Sequence, residues 1–269
     1  MLEKIDESRV ALSQATDLAR KSQLGQFFTP TTVAQFMAGL FTRDSQRECH
    51  LLDAGAGIGS LSAALLERCG PSDLSFEEVL VDAFEIDQDL HHDLMANLAE
   101  CRRLAENKGV KIESRVRGDD FIYTAVPLGG YMFAEKLPKY SHAILNPPYR
   151  KIRSDSGYRT ALRTIGIETV NMYSAFVALA VSLLDATHGQ LVAIIPRSFC
   201  NGPYYRPFRE YVLSRAQLSH VHLFNSRDMA FKDDDVLQEN VIVKLRSGYD
   251  QAGVTVTTSN DDSFGDLVT

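Results

Sequence analysis

The feature that most constrains this chain is an alternation of short apolar runs of strand length with longer stretches of helical periodicity. The runs fall at 50–54, 79–85, 110–116, 141–145, 190–195, 219–224 and 240–246. Such an alternation predicts an α/β fold, a seven-stranded and mostly parallel sheet with helices on both faces. After Pro30, residues Val33, Phe36, Met37 and Leu40 fall at i, i+3, i+4 and i+7, with Thr29 as N-cap and Pro30 at the first helical position. Leu90, Leu94, Leu98, Cys101 and Ala105 form a second stripe, and Tyr173, Phe176, Val177, Ala180 and Leu184 a third. In a doubly wound sheet ligands bind beyond the carboxyl ends of the strands, so function is read there.

Composition bounds the rest. With 269 residues, 45% hydrophobic and 23% charged, the chain has the size and make-up of one large globular domain. Apolar stretches such as 191–196 fall far short of the roughly 20 residues that span a bilayer. The opening Met1–Glu7 lacks the basic-then-apolar order of a secretory signal, so a cytoplasmic protein without a membrane partner is expected. Cys49, Cys69, Cys101 and Cys200 are scattered and the histidines unclustered, which predicts reduced core thiols and no metal. The net charge of −7 speaks against nucleic acid, because phosphates are neutralised by Lys and Arg. It is a whole-chain average, however, and a local groove can be basic inside an acidic domain.

The first strand runs through Asp53 into Gly55-Ala56-Gly57-Ile58-Gly59 and then a helix at Ser60. Glycines there remove the Cβ atoms that would hold a ligand off the backbone, and the helix start presents free N–H groups. The spacing is not the Gly-x-Gly-x-x-Gly of a dinucleotide site, and Asp53 suits a ligand carrying positive charge better than a pyrophosphate. Read without a ligand, the same run is a tight strand-to-helix turn. The second strand ends in Glu85-Ile86, where an acid can accept hydrogen bonds from both hydroxyls of a ribose. The third ends in Gly118-Asp119-Asp120-Phe121, where a carboxylate can meet an adenine amino group and the aromatic its ring. Each of these acids alone also reads as a solvated loop residue.

The fourth strand runs into Asn146-Pro147-Pro148-Tyr149. The prolines fix the direction of the backbone carbonyls. A planar arylamine is a poor nucleophile because its lone pair is delocalised. If the Asn146 side-chain oxygen and the Pro147 carbonyl both accept its hydrogens, the nitrogen is biased towards tetrahedral geometry and its lone pair is aimed. Tyr149 offers a flat face for an extruded base.

On these residues the chain resembles the gamma-type N6-adenine DNA methyltransferases, and among them the TaqI/Eco57I-like catalytic domains of restriction–modification enzymes. The likeness runs from about Gly25 to Arg246. It implies the class I S-adenosylmethionine-dependent methyltransferase fold, S-adenosyl-L-methionine as cofactor and double-stranded DNA as partner. Gly25-Gln26-Phe27-Phe28-Thr29-Pro30 is similar to the motif that meets the methionine end of the cofactor. Asp53, Gly55, Gly57, Glu85, Ile86 and Asp119, Asp120 and Phe121 match cofactor positions. Anchoring on Phe121 selects Asp120 for the adenine contact, and anchoring on Gly118 selects Asp119. Val170–Phe176 resembles the helix start that faces the cofactor. Met229-Ala230-Phe231-Lys232 resembles the loop whose aromatic stacks on the flipped base, which gives Phe231 that role.

The implied division is an N-terminal helical segment over 1–24, a catalytic domain over 25–246 and a polar tail over 247–269. The tail is too short for the target-recognition domain that family members usually carry, so recognition is expected from a missing part or another chain. The stretch after the tetrapeptide holds five basic residues, Arg150, Lys151, Arg153, Arg159 and Arg163, against one acid, Asp155. The first three are candidates for DNA phosphates, and without a ligand the stretch reads as a solvated loop. Other readings stay open. A methyltransferase acting on a glutamine amide in protein, or on a base in RNA, can use the same tetrapeptide. A non-catalytic DNA-binding or assembly subunit would keep the fold without the chemistry, and a nicotinamide oxidoreductase is disfavoured by the glycine spacing.

Overall fold

A computed structural model describes residues 2–15, 28–129, 139–225 and 239–269. All seven expected strands form: β1 Glu48–Ala54, β2 Glu78–Phe84, β3 Lys111–Arg117, β4 His142–Leu145, β5 Gln190–Pro196, β6 Gln217–Phe224 and β7 Asn240–Arg246. An eighth, β8 Thr255–Ser259, completes a sheet of order β3-β2-β1-β4-β5-β7-β6-β8. The first five strands are mutually parallel, whereas β7 is antiparallel to both β5 and β6.

Period-2 alternation distributes the core over two layers. Leu51, Val192, Ile194 and Ile242 pack on one face; Leu52, Leu191, Ala193 and Val243 pack on the other. The first layer is covered by α1 Leu2–Ala15, α2 Thr31–Gly39, α3 Ser60–Glu67 and α4 His91–Glu106. The second is covered by α5 Phe121–Gly129, α6 Gly157–Thr164, α7 Met172–Leu183 and α8 Arg206–Leu213. The α4 stripe is buried as its spacing predicts, at Leu94, Leu98, Cys101 and Ala105. Helix α7 departs from its expected stripe: every residue but Ser182 is buried, because α5 and α8 pack on the helix away from the sheet.

Two expectations about ends shift. Helix α2 starts at Thr31, with Pro30 in the cap position and its carbonyl accepting from Ala34 N at 2.9 Å, so Thr29 is not the cap. The polar tail over 247–269 contains β8, whose buried side chains are Thr257 and Ser259. Thr257 Oγ1 is hydrogen-bonded with His220 Nε2 and His222 Nδ1 at 2.8 and 2.9 Å, and Ser259 Oγ with His222 Nε2 at 3.1 Å. A strand that buries its hydroxyls and exposes Val256 carries no apolar signal. Among the cysteines, Cys49, Cys69 and Cys101 are core thiols and Cys200 is exposed. No helix among the described residues is long and apolar enough to cross a membrane.

Candidate active site

Because β1 and β4 are neighbours while the chain winds outward from them in opposite directions, their carboxyl ends leave a crevice between the two halves of the sheet. A cleft opens there, at the place where a doubly wound sheet binds its ligand. Its walls hold Gly55 and Gly57 after β1, Glu85 and Ile86 after β2, Asp119, Asp120 and Phe121 after β3, and Asn146 and Pro148 after β4. The structure thus gathers at one place residues from four separate strand ends, while Asp53, Pro147 and Tyr149 are not part of the cleft wall.

The glycine turn has a local cause. Gly55, Gly57 and Gly59 have φ of +83°, +57° and +86°, a region that L side chains rarely adopt. The Gly55 and Ala56 N–H groups both donate to Phe84 O at 2.9 Å, which folds the turn over the end of β2. A Cβ on Gly55 would lie 3.6 Å from the Asn146 carbonyl oxygen, and one on Gly57 3.6 Å from the Phe28 ring. The turn therefore keeps open the space between the first strand and the tetrapeptide.

Glu85 is almost wholly buried, and burial raises its carboxyl above the ordinary range. Its Oε2 accepts from Gly57 N and its Oε1 from Asp87 N, both at 2.8 Å. One carboxylate thus ties the glycine turn to the end of β2. Ile86 is 54% exposed, although its apolar side chain lines the cleft. Phe121 packs edge-on to Phe84 at 5.1 Å and tilted to Phe176 at 5.0 Å, forming an aromatic wall. Phe28 of the Gly25–Pro30 motif and Met172 of the Val170–Phe176 segment line the cleft, together with Phe84, whose only signal in the sequence is its place before Glu85.

The two acids of β3 are in different situations. Asp120 caps α5, its Oδ1 accepting from Ile122 N and Tyr123 N at 2.9 and 3.2 Å, while its Oδ2 accepts from Tyr158 OH at 2.5 Å. Asp119 is exposed at the rim.

Asp53 sits elsewhere than expected. Its carboxyl is fully buried beneath the turn and outside the cleft walls, with Oδ2 accepting from Ser62 Oγ at 2.6 Å and Oδ1 without a partner. Burial pushes its pKa up to about 7. An unfolded aspartate titrates near 3.9, so between about pH 4 and pH 7 the folded state keeps a proton that the unfolded state releases. Stability is therefore lost as pH rises through that window. Asp53→Asn lacks this loss: its thermal midpoint relative to wild type is expected to rise between pH 5 and pH 7.5. A parallel pair of melting curves across that range would refute it.

Asn146 is half-buried, and its Nδ2 donates to Thr29 Oγ1 at 3.0 Å. Tyr149 OH donates to Ile194 O of β5 at 3.2 Å, and its ring meets Tyr173 edge-on at 6.4 Å. Pro147 is buried, and Phe28 belongs to the cleft wall while Thr29 and Pro30 do not. Phe231, with Gly25–Phe27, lies outside the described residues.

The basic stretch is more ordered than a loop. Ile152 N donates to Val170 O and Met172 N to Arg150 O, both at 2.8 Å, so the segment after the tetrapeptide pairs with the entry to α7. Ser156 then caps α6. Arg153 pairs with Asp155 at 3.1 Å, and Arg159 and Arg163 both pair with Glu168, which follows α6. Arg150 and Lys151 are exposed beside a second groove that continues from the cleft. The Arg153–Asp155 pair is also exposed, and such pairs contribute under about 1 kcal/mol, so exchanging Asp155 for a phosphate costs little.

Residues 13–231 match the Eco57I restriction-modification methylase family. The chain belongs to this family. It is 48% identical over 267 residues to the type II methyltransferase M.BsuBI of Bacillus subtilis, an alignment covering 98% of this chain and 51% of that protein. It is 40% identical to the type II methyltransferase M.PstI of Providencia stuartii, covering 95% of this chain and 49% of the relative. The chain thus spans about half the length of the curated relatives it matches.

Among solved structures, a modification subunit of a putative type I restriction enzyme from Vibrio vulnificus superposes with a TM-score of 0.68 at 15% identity, over 87% of this chain and 47% of that one. A putative class I S-adenosylmethionine-dependent methyltransferase from Listeria monocytogenes gives 0.64 at 12%, over 98% and 76%. At such identities the likeness is one of fold. The fold is that of class I methyltransferases, and with the methylase family it implies S-adenosylmethionine as cofactor. The residues present fit that group: a glycine cradle that Cβ atoms would narrow, an acid at the end of β2 and an apolar aromatic wall after β3.

Proposed function

We propose that this member of the Eco57I restriction-modification methylase family binds S-adenosyl-L-methionine in the cleft. It directs methyl transfer to the N6 amino group of an adenine swung out of double-stranded DNA, within a restriction–modification system. The observation that carries the reading is the position of Asn146-Pro147-Pro148-Tyr149 at the end of β4, where Asn146 and Pro148 share one cleft with Gly55, Glu85 and Phe121. M.BsuBI and M.PstI, named as type II methyltransferases, support it.

When bound, the cofactor supplies an electrophilic methyl group on a sulfonium. The chain's own residues do the rest. Thr29 and Pro30 serve its methionine end, and Asp53 acts on the same end from beneath the glycine turn. Glu85 takes the ribose hydroxyls, and Ile86 and Phe121 enclose the adenine ring. Asp120, held rigidly by α5 and Tyr158, accepts the cofactor's adenine amino group, with Asp119 at the rim. Asn146 Oδ1 and the Pro147 carbonyl accept the two hydrogens of the target amine and aim its lone pair. Tyr149, its ring held by the bond to Ile194, carries one face of the base and Phe231 the other. Arg150, Lys151 and Arg153 meet phosphates beside it. Sequence choice comes from a target-recognition part beyond this domain.

Incubation with radiolabelled cofactor and unmethylated plasmid DNA, RNA or protein, followed by nucleoside analysis, tests the reading. Labelled N6-methyladenine in DNA is the expected product. N6-methyladenosine in RNA, or label in protein, would overturn the choice of substrate.

A further inference from the structure

Thr29 and Asn146 are 117 residues apart in sequence, yet the Asn146 amide is held by the Thr29 hydroxyl at 3.0 Å. Thr29 itself is 5% exposed and stands at the entry to a helix fixed at both ends. At the start of α2, Thr31 N and Oγ1 donate to Asp6 Oδ1 at 3.3 and 3.1 Å. At its far end, Lys244 Nζ donates to Leu40 O at 2.7 Å and Arg68 Nη1 to Phe41 O at 3.1 Å. These bonds to α1, to the C-cap of α3 and to β7 keep the hydroxyl of Thr29 in a set place.

The chemistry of an asparagine makes such a fixed partner matter. Rotation about its last side-chain bond is broad and nearly two-fold, so an unpinned amide presents either its oxygen or its NH2 group to the same point. Only the oxygen can accept a hydrogen from an amine. The flipped amide would set donor against donor and would not shape the target nitrogen. A hydroxyl can donate as well as accept, so the sense is set by the bond that forms: Nδ2 donates to Thr29 Oγ1, which leaves Oδ1 at the other end of the amide. We propose that Thr29 is a positioning residue for Asn146: by accepting from Nδ2 it holds the amide with Oδ1 directed at the target amine, a role separate from any contact with the cofactor. This rests on the reading of Asn146 as the acceptor for that amine.

The test compares Thr29→Val, which keeps the shape and loses the hydroxyl, with Thr29→Ser, which keeps the hydroxyl. At saturating cofactor and duplex DNA, Thr29→Val is expected to lower kcat roughly 10- to 100-fold, the scale of a small misplacement at a reacting centre. Thr29→Ser should stay within about threefold. Independently of turnover, the cofactor-free chain labelled with 15N-asparagine reports the amide directly. The Asn146 side-chain resonances, identified by their absence in Asn146→Ala, should shift in Thr29→Val and hold in Thr29→Ser. Unchanged Asn146 resonances in Thr29→Val would overturn the proposal, as would a defect confined to cofactor affinity with kcat intact. If label appeared in RNA or protein instead of DNA, the functional reading would fail, while the resonances would still decide the role of Thr29.

Discussion

Asn146→Ala is expected to lower methyl transfer by at least about 100-fold while leaving the calorimetric affinity for S-adenosylmethionine within about threefold of wild type. Removing one preorganised group that stabilises a transition state typically costs 10²–10³ in kcat. The loss would include the partner of Thr29 and, on the proposed mechanism, an acceptor for the target amine. The backbone around it should hold, because the two prolines restrict it and Tyr149 stays anchored to β5. The split between rate and binding is the informative part. A residue that merely lined the cleft would weaken binding instead, and turnover within a few-fold of wild type would sink the mechanism.

Glu85→Ala is expected to do the opposite: to cost cofactor affinity by more than about 100-fold and stability together. The carboxylate accepts from both the Gly57 and Asp87 N–H groups. A buried donor left unsatisfied costs about 1–3 kcal/mol, so losing both is expected to lower the thermal midpoint by roughly 5–10 °C. The glycine turn would also lose its tie to β2, and with it the shape of the cradle. Glu85→Gln retains one accepting oxygen and should fall between the two. Calorimetry and thermal unfolding of the three proteins check this; an unchanged midpoint in Glu85→Ala would show that the turn is held by the Gly55 and Ala56 bonds to Phe84 alone.

The contrast between these variants shows how differently parts of the site were legible. Asn146–Tyr149 was read from sequence because a strand followed by two prolines and flanked by an amide and an aromatic has few other uses. Glu85 was read because its place after an apolar run is a local property. The face and depth of a side chain were not legible. Asp53 ends the first strand as plainly as Glu85 ends the second, yet it is buried under the turn against Ser62 of α3. Whether an acid at a strand end faces the cleft or the helix behind it depends on the turn that follows, which bends sharply after β1. The basic stretch failed for a related reason. Counting charge within 150–163 omits Glu168, which the return of the chain after α6 brings to Arg159 and Arg163.

What the sequence determined by itself was the set of strands, their helices and the chemistry gathered at their ends, because periods of 2 and 3.6 and the geometry of Gly and Pro act over a few residues. What only the tertiary structure decided was pairing at long range. It set β7 antiparallel between β5 and β6 and built β8 from buried hydroxyls. It also matched two of the five arginines and lysines near the site, Arg159 and Arg163, with Glu168, and gave Asn146 its partner in Thr29. No local pattern encodes these, since each depends on which distant elements the packed core brings within hydrogen-bonding distance.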